Sequence, residues 1–99
     1  MKLSQNEIQN RLNKLQHWSL DQDQIKRRYK CKDFMGAIDL INLIAAHAET
    51  MDHHPDILIS NYNQVTITLT TYSANGLTEN DFTLAKEIDH IFNSQSNED

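Results

Sequence analysis

The chain contains few of the residues that interrupt or cross-link a fold. Its 99 residues include two glycines, one proline and one cysteine. This composition favours regular helices and strands over a disordered or low-complexity chain. A single cysteine excludes an intramolecular disulfide and a cysteine-rich zinc site, and it fits a reducing compartment. The length indicates a single domain, which we expect to span residues 1–99.

Long apolar runs and basic clusters are also lacking. No run of about 18 apolar residues occurs and no charged-then-apolar leader opens the chain, so we expect neither a membrane span nor a signal peptide. The formal net charge of −5 argues against nucleic-acid and membrane partners, because phosphate binding needs clustered lysine and arginine. Phosphate-binding glycine loops and nucleophile elbows are absent from the sequence. These absences predict a cytoplasmic protein whose chemistry, if any, is proton transfer on a small molecule.

Hydrophobic spacing predicts three helices. The first begins at Ser4, which has the spacing of a capping box with Glu7, and ends near residue 15. A central helix is capped by Asp33 and runs to residue 51 or 52, because Pro55 disfavours helical geometry at the residue before it. Its apolar stripe is expected to include Phe34, Ile38, Ile41, Ala45 and Ala48, with Ala37, Leu40 and Ile44 widening it. The third helix follows Thr78 as its N-cap.

Four segments have the composition and alternation of strands, and they form two hairpins. In the last segment Val65, Ile67 and Leu69 point to one side and threonines to the other, so one face of the sheet is apolar. The expected fold is a single α+β domain of order α-β-β-α-β-β-α. It has a four-stranded antiparallel sheet with helices packed on one face.

The densest titratable chemistry lies between the central helix and the next strand. Residues 49–56 read Glu-Thr-Met-Asp-His-His-Pro-Asp. Histidine exchanges protons near neutral pH, with an unperturbed pKa of about 6.5, and a neighbouring carboxylate can hold the imidazole in one tautomer. Glu49 and His53 are four residues apart, so helical geometry would point both side chains the same way.

Three interpretations of this segment stay open on the residues alone. The histidines can decorate a helix C-terminus, where a protonated imidazole complements the helix dipole. They can perform general acid–base catalysis, which requires a pocket but no cofactor. They can also belong to a metal site, although adjacent histidines project in different directions and the usual ligand spacing is missing. That site would use His53, His54, Asp52, Glu49 and His47.

The wider sequence resembles the pterin-4a-carbinolamine dehydratase (4a-hydroxytetrahydrobiopterin dehydratase) family. The motif Glu49-x-x-x-His53-His54-Pro55, followed by Tyr62 and Asp81, is similar to the family signature. The resemblance covers almost the whole chain, because further segments fall in family order with near-family spacing. These are Trp18, Lys32-Asp33-Phe34, Ile67 to Thr71, and Gly76-Leu77.

The resemblance implies an enzyme that removes water from 4a-hydroxytetrahydrobiopterin to give quinonoid dihydropterin, without a metal or bound cofactor. By position, His53 would be the main acid–base residue and His54 an assisting, pterin-binding residue. The family also implies a homodimer or homotetramer and a functional link to an aromatic amino-acid hydroxylase. The substrate-binding residues would be Glu49, Asp52, Pro55, Asp81 and Trp18.

One position departs from the family pattern. Tyr72 stands where the family carries its third active-site histidine. A phenol with an ordinary pKa of about 10 is a poor proton shuttle at neutral pH, although it can donate and accept hydrogen bonds. We therefore expect a dehydratase that is weakened or restricted to one hydroxyl stereoisomer, with Tyr72 in the third catalytic position. The alternative is an inactive pterin-binding or protein-interaction module.

Overall fold

A computed structural model describes residues 1–96, and these form the predicted α-β-β-α-β-β-α order. Within them, no helix is long and apolar enough to cross a membrane. A short 3-10 turn at Tyr72–Ala74, which the sequence did not predict, follows the last strand. The helices are α1 (Gln5–Leu12), α2 (Phe34–Met51) and α3 (Glu79–Ser96), and the strands are β1 (Ser19–Asp21), β2 (Gln24–Lys30), β3 (Asp56–Ser60) and β4 (Gln64–Leu69).

The four strands form one antiparallel sheet in the order β1-β2-β4-β3, which confirms the predicted fold class. β2 and β4 occupy the centre and pair from Ile25 opposite Leu69 to Lys30 opposite Gln64. β3 lies at one edge and begins with Asp56 opposite Thr68. The end of β4 and the start of β3 therefore lie side by side, and this is where the histidine segment enters the sheet.

A single apolar core lies between the inner face of this sheet and the helices. Val65, Ile67 and Leu69 are fully buried, as their alternation predicts. The predicted stripe of α2 is partly wrong. Phe34 is 49% exposed and Ala45 is also exposed, while the buried residues of α2 are Ala37, Leu40, Ile44 and Ala48. Because α2 is apolar on several sides, residue spacing could not determine which side faces the sheet.

α1 begins as predicted but is shorter. The Ser4 hydroxyl accepts from the Glu7 backbone N–H and the Glu7 carboxylate accepts from the Ser4 backbone N–H, which completes the capping box. The helix ends at Leu12 rather than near residue 15, and turns lead to His17, whose φ of 73° is left-handed. Trp18 follows this reversal and enters the core.

A carboxylate in the middle of α3 fastens the helix to the sheet. Asp89 accepts hydrogen bonds from the Trp18 indole at 3.0 Å, the Arg27 guanidinium at 2.6 Å and the Tyr29 hydroxyl at 2.5 Å. Burial and the bond to Asp89 raise the pKa of Tyr29, which keeps its hydroxyl protonated as a donor. The Arg27 guanidinium also lies 4.2 Å above the Tyr29 ring centroid. Three side chains from β2 and the segment before β1 therefore converge on one turn of α3.

Removal of the Tyr29 hydroxyl should destabilise the protein measurably. Tyr29→Phe keeps the buried ring but removes one donor to the Asp89 carboxylate, so we expect a loss of about 1.5–3 kcal/mol in the free energy of unfolding. Urea denaturation measures this loss. Tyr62→Phe is the matched control, because Tyr62 is 59% exposed, and it should change the free energy by less than about 0.5 kcal/mol. Equal effects of the two substitutions would contradict a stabilising role for the bond.

Candidate active site

The end of α2 turns the histidine segment towards the core. Asp52 adopts a left-handed conformation with φ of 51°, and the His53 backbone N–H donates to the Ala48 carbonyl at 3.1 Å. This arrangement closes the last helical turn and reverses the chain. His53 is consequently 9% exposed, whereas His54 points into solvent.

His53 forms a buried pair with Asp81, the third residue of α3. The distance from His53 Nε2 to Asp81 Oδ1 is 2.6 Å, and Asp81 is fully buried. The other carboxylate oxygen accepts from the Thr71 hydroxyl at 2.8 Å and the Thr78 backbone N–H at 2.9 Å. The two donors on Oδ2 suit an acceptor-only carboxylate, so we expect Oδ1 to accept from His53 as well. The proton between the pair therefore belongs to His53 Nε2, which leaves Nδ1 as the nitrogen available for proton exchange.

His54 pairs with a different carboxylate. Its Nε2 lies 2.5 Å from Glu49 Oε2, and the two side chains are 56% and 77% exposed. The sequence predicted that Glu49 would point the same way as His53, and the structure pairs it with His54 instead. Helical spacing does not extend to His53, because Asp52 has already left the helix. An exposed pair of this kind contributes little stability, so its effect is to orient the imidazole.

Tyr72 lies in the 3-10 turn after β4, not on the strand itself. Its hydroxyl donates to Asp56 Oδ2 at 2.9 Å, and the residue is 68% exposed. The hydrogen bond to Asp56, together with the charge of that carboxylate, raises the pKa of Tyr72. The preceding residue, Thr71, donates to Asp81, so Tyr72 directly follows a residue of the His53 hydrogen-bond network.

Asp56 is the member of this group that sequence reasoning missed. It closes the Asp-His-His-Pro-Asp segment, which was the one available signal. Its contact with Tyr72 spans 16 residues and depends on the pairing of β3 with β4, so residue spacing could not reveal it.

The remaining predicted substrate-binding residues are Asp52, Pro55 and Trp18. Asp52 is exposed and Pro55 is half-buried beside the histidines. Trp18 is 8% exposed, donates to Asp89 and lies edge-on to Tyr29 with ring centroids 6.4 Å apart. Within residues 1–96 no hydrogen bond joins Trp18 to the His53 network. Asp89 is eight residues after Asp81, about 12 Å along the helix axis.

Two cavities lie at different distances from the predicted site residues. One of about 310 Å³ borders Tyr72, Thr70 and Gly76 and is closed on the other side by the β1–β2 turn. Another, of about 740 Å³, lies near the first turns of α2 and includes Tyr62, whereas His53 follows the last turn of that helix. The larger cavity is thus remote from the buried imidazole, and the smaller one adjoins Tyr72.

Metal ligation finds no geometric support in the part of the chain described. No group of three or more histidine, cysteine, aspartate or glutamate side chains among residues 1–96 could hold a metal ion. The side chains instead pair one to one, as His53 with Asp81, His54 with Glu49 and Tyr72 with Asp56. Such paired groups can position and exchange protons on a small molecule.

Comparison with known proteins gives a consistent assignment. Residues 1–91 match the family model described as Pterin 4 alpha carbinolamine dehydratase. A Picosynechococcus protein provisionally named pterin-4-alpha-carbinolamine dehydratase is 48% identical over 90 residues, which cover 91% of this chain and 97% of the relative. A protein from Sulfolobus acidocaldarius with the same provisional name is 42% identical over 91 residues, covering 92% and 99%.

A solved structure shows the same fold. The crystal structure of a transcriptional coactivator/pterin dehydratase from Brucella melitensis is similar with a TM-score of 0.88 at 35% identity. The match covers 92% of this chain and 98% of that chain. On the family model, the relatives and this structure together, the chain belongs to the pterin-4a-carbinolamine dehydratase family and is, by homology, a hydro-lyase.

Proposed function

We propose that the protein dehydrates 4a-hydroxytetrahydrobiopterin to quinonoid dihydropterin by general acid–base catalysis, with His53 as the principal acid. The observation that carries this proposal is the buried contact of 2.6 Å between His53 and Asp81. Asp81 fixes the tautomer and orientation of the imidazole. A histidine that merely decorated a helix end would need no buried carboxylate partner.

The reaction needs a proton donor at the leaving hydroxyl. Protonated His53 gives its Nδ1 proton to the C4a hydroxyl, which departs as water while the lone pair of the neighbouring ring nitrogen supports the developing cation. Loss of the N–H proton from that nitrogen completes the carbon–nitrogen double bond. A positioned acid or base of this kind typically contributes about 10²–10⁴-fold to the rate.

The remaining residues have supporting roles in this proposal. His54, oriented by Glu49, binds the pterin and assists proton transfer. Asp52, Pro55 and Trp18 keep their assignment as substrate-binding residues, although Trp18 is the one most removed from His53. We further propose a homodimer or homotetramer, a place in tetrahydrobiopterin recycling beside an aromatic amino-acid hydroxylase, and a cytoplasmic location.

Replacement of His53 should remove most of the rate gain. His53→Gln keeps a side-chain amide that can donate to Asp81 but cannot exchange protons, so we expect the catalysed dehydration to fall by about 10²-fold or more. Stopped-flow absorbance of freshly generated 4a-hydroxytetrahydropterin measures the rate. His90→Ala, an exposed histidine on α3, is the control and should leave the rate unchanged.

Asp81→Asn should damage catalysis through the tautomer of His53. The asparagine amide has only one acceptor oxygen, whereas three groups now bond the Asp81 carboxylate. With the amide oxygen facing Thr71 and Thr78, His53 Nε2 loses its acceptor. The imidazole is then no longer held in the tautomer that leaves Nδ1 free. We expect a loss of about 10²-fold or more in kcat, by analogy with the serine-protease triad, where the Asp→Asn change costs about 10⁴-fold. Imidazole nitrogen chemical shifts report the tautomer independently. Retained activity and an unchanged tautomer in a folded variant would refute this role for Asp81.

Tyr72→His should increase the dehydration rate if the third position limits catalysis. Histidine exchanges protons at neutral pH, whereas tyrosine has to use its hydrogen bond to Asp56. We expect an increase of about 10-fold, which is below the roughly 10²–10⁴-fold that a positioned acid–base group typically contributes. If the natural protein does not exceed the spontaneous rate and Tyr72→His does, the natural protein is a pterin binder that has lost catalysis. Inactivity of every variant would overturn the enzyme proposal.

A further inference from the structure

The hydrogen bond between Tyr72 and Asp56 joins two fixed positions. Asp56 is the first residue of β3 and pairs with Thr68, the second-last residue of β4. The 3-10 turn that begins with Tyr72 follows shortly after the end of β4. Its carboxylate accepts from the Tyr72 hydroxyl at 2.9 Å. The position of Asp56 is therefore set by strand register, and that of Tyr72 by the 3-10 turn after β4.

Asp56 lies near His53 in the sequence, and Tyr72 directly follows a residue that binds the carboxylate partner of His53. Along the chain, Asp56 is three residues after His53. Through side chains, the Thr71 hydroxyl donates to Asp81, which holds His53, and Thr71 directly precedes Tyr72. His53 and Tyr72 are thus each held by their own carboxylate, Asp81 and Asp56, near the same end of the β3–β4 pair.

We propose that Tyr72 and Asp56 together replace the second acid–base group of the site: the Tyr72 oxygen takes the substrate N–H proton while the Tyr72 proton passes to Asp56. The proposal rests on the dehydratase function proposed above and adds a residue to it. Tyr72 touches the substrate, and Asp56 acts through Tyr72 as a positioning residue and final proton acceptor.

Pairing with Asp56 allows Tyr72 to transfer a proton without becoming charged. A phenol alone would have to become a phenolate or a protonated phenol, and both are rare at neutral pH. In the relay its oxygen gains one proton as it gives up another, so neither species accumulates. Because its O–H is already directed to Asp56, the oxygen lone pairs are left for a substrate donor, and the 68% exposure of Tyr72 makes them accessible.

The step balances in atoms and electrons. Protonated His53 gives a proton to the C4a hydroxyl, the carbon–oxygen bond breaks with its electron pair, and water leaves. The nitrogen lone pair forms the carbon–nitrogen double bond, and the substrate N–H bond then breaks, leaving its electron pair on the nitrogen while its proton goes to Tyr72. The original Tyr72 proton goes to Asp56, so His53 has lost one proton and Asp56 has gained one. Proton exchange with solvent then restores both groups without an oxidant or reductant.

A cavity beside Tyr72 provides room for a small molecule at the phenol. It measures about 310 Å³ and Tyr72 forms part of its wall. Pockets for small molecules begin at roughly 300 Å³, so the space is sufficient for a compact bicyclic ring.

A double-mutant cycle tests the relay. The four proteins are the natural chain, Tyr72→Phe, Asp56→Asn and the double variant, with stopped-flow dehydration as the assay. We expect a loss of about 10-fold in kcat for each single change. In the Tyr72→Phe background, Asp56→Asn should cost less than about 2-fold, because residues that act as a unit are not additive. Asp39→Asn, an exposed carboxylate on α2, is the matched control and should leave kcat unchanged.

Two further readouts separate a relay from a structural effect. The tyrosinate absorbance of Tyr72, obtained by difference against Tyr72→Phe, should titrate at lower pH in Asp56→Asn, because the carboxylate that raises the Tyr72 pKa is gone. The solvent isotope effect on kcat should shrink in Asp56→Asn, since fewer protons then move in the rate-determining step.

The outcomes distinguish this proposal from the dehydratase function itself. Catalysis that depends on His53 but is unaffected by Tyr72→Phe or Asp56→Asn would overturn the relay and leave the function intact. Fully additive losses in the double variant would also overturn it, because the two residues would then act separately. A natural protein with no activity above the spontaneous rate would overturn both.

Discussion

The burial of the Asp81 carboxylate is the constraint on which the site depends. An isolated ionised carboxylate in the interior is strongly unfavourable, so it must be surrounded by donors. Here the donors come from three places: His53 after α2, Thr71 after β4 and the Thr78 backbone before α3. The hydrogen bonds to this one carboxylate therefore hold together the end of α2, the end of β4 and the start of α3. The imidazole is oriented as a consequence.

A second carboxylate on the same helix has a different effect. Asp89 binds Trp18, Arg27 and Tyr29, which are packed in or against the core and contribute to the attachment of α3 to the sheet. The partners of Asp89 are an indole, a guanidinium and a phenol, none of which exchanges protons readily near neutral pH. The partner of Asp81 is an imidazole, which does. Two similar aspartates on one helix are thus separated into a structural and a chemical role by what faces them.

Sequence reasoning reached the element order, the sheet, the capped starts of α1 and α2 and the histidine segment, because these depend on local spacing and on residue chemistry. It did not place Phe34 and Ala45 of α2 in solvent, and it did not predict the pairing of Glu49 with His54. The first depends on tertiary packing of a helix that is apolar on several sides, and the second on a left-handed residue, Asp52, that spacing rules do not anticipate. The Tyr72–Asp56 contact was missed because it arises from strand register and from a 3-10 turn. Long-range pairing of this kind is outside what one sequence reveals.

Chemical rescue tests the central claim most directly, namely that the imidazole held by Asp81 supplies the proton. His53→Ala removes the ring and leaves a space beside Asp81, and free imidazole can enter that space and exchange protons there. The account predicts that the dehydration rate of His53→Ala rises with imidazole concentration, while added imidazole leaves the natural protein unchanged relative to buffer. A natural protein that catalyses dehydration, together with a folded His53→Ala variant that loses nothing or is not rescued, would contradict the account.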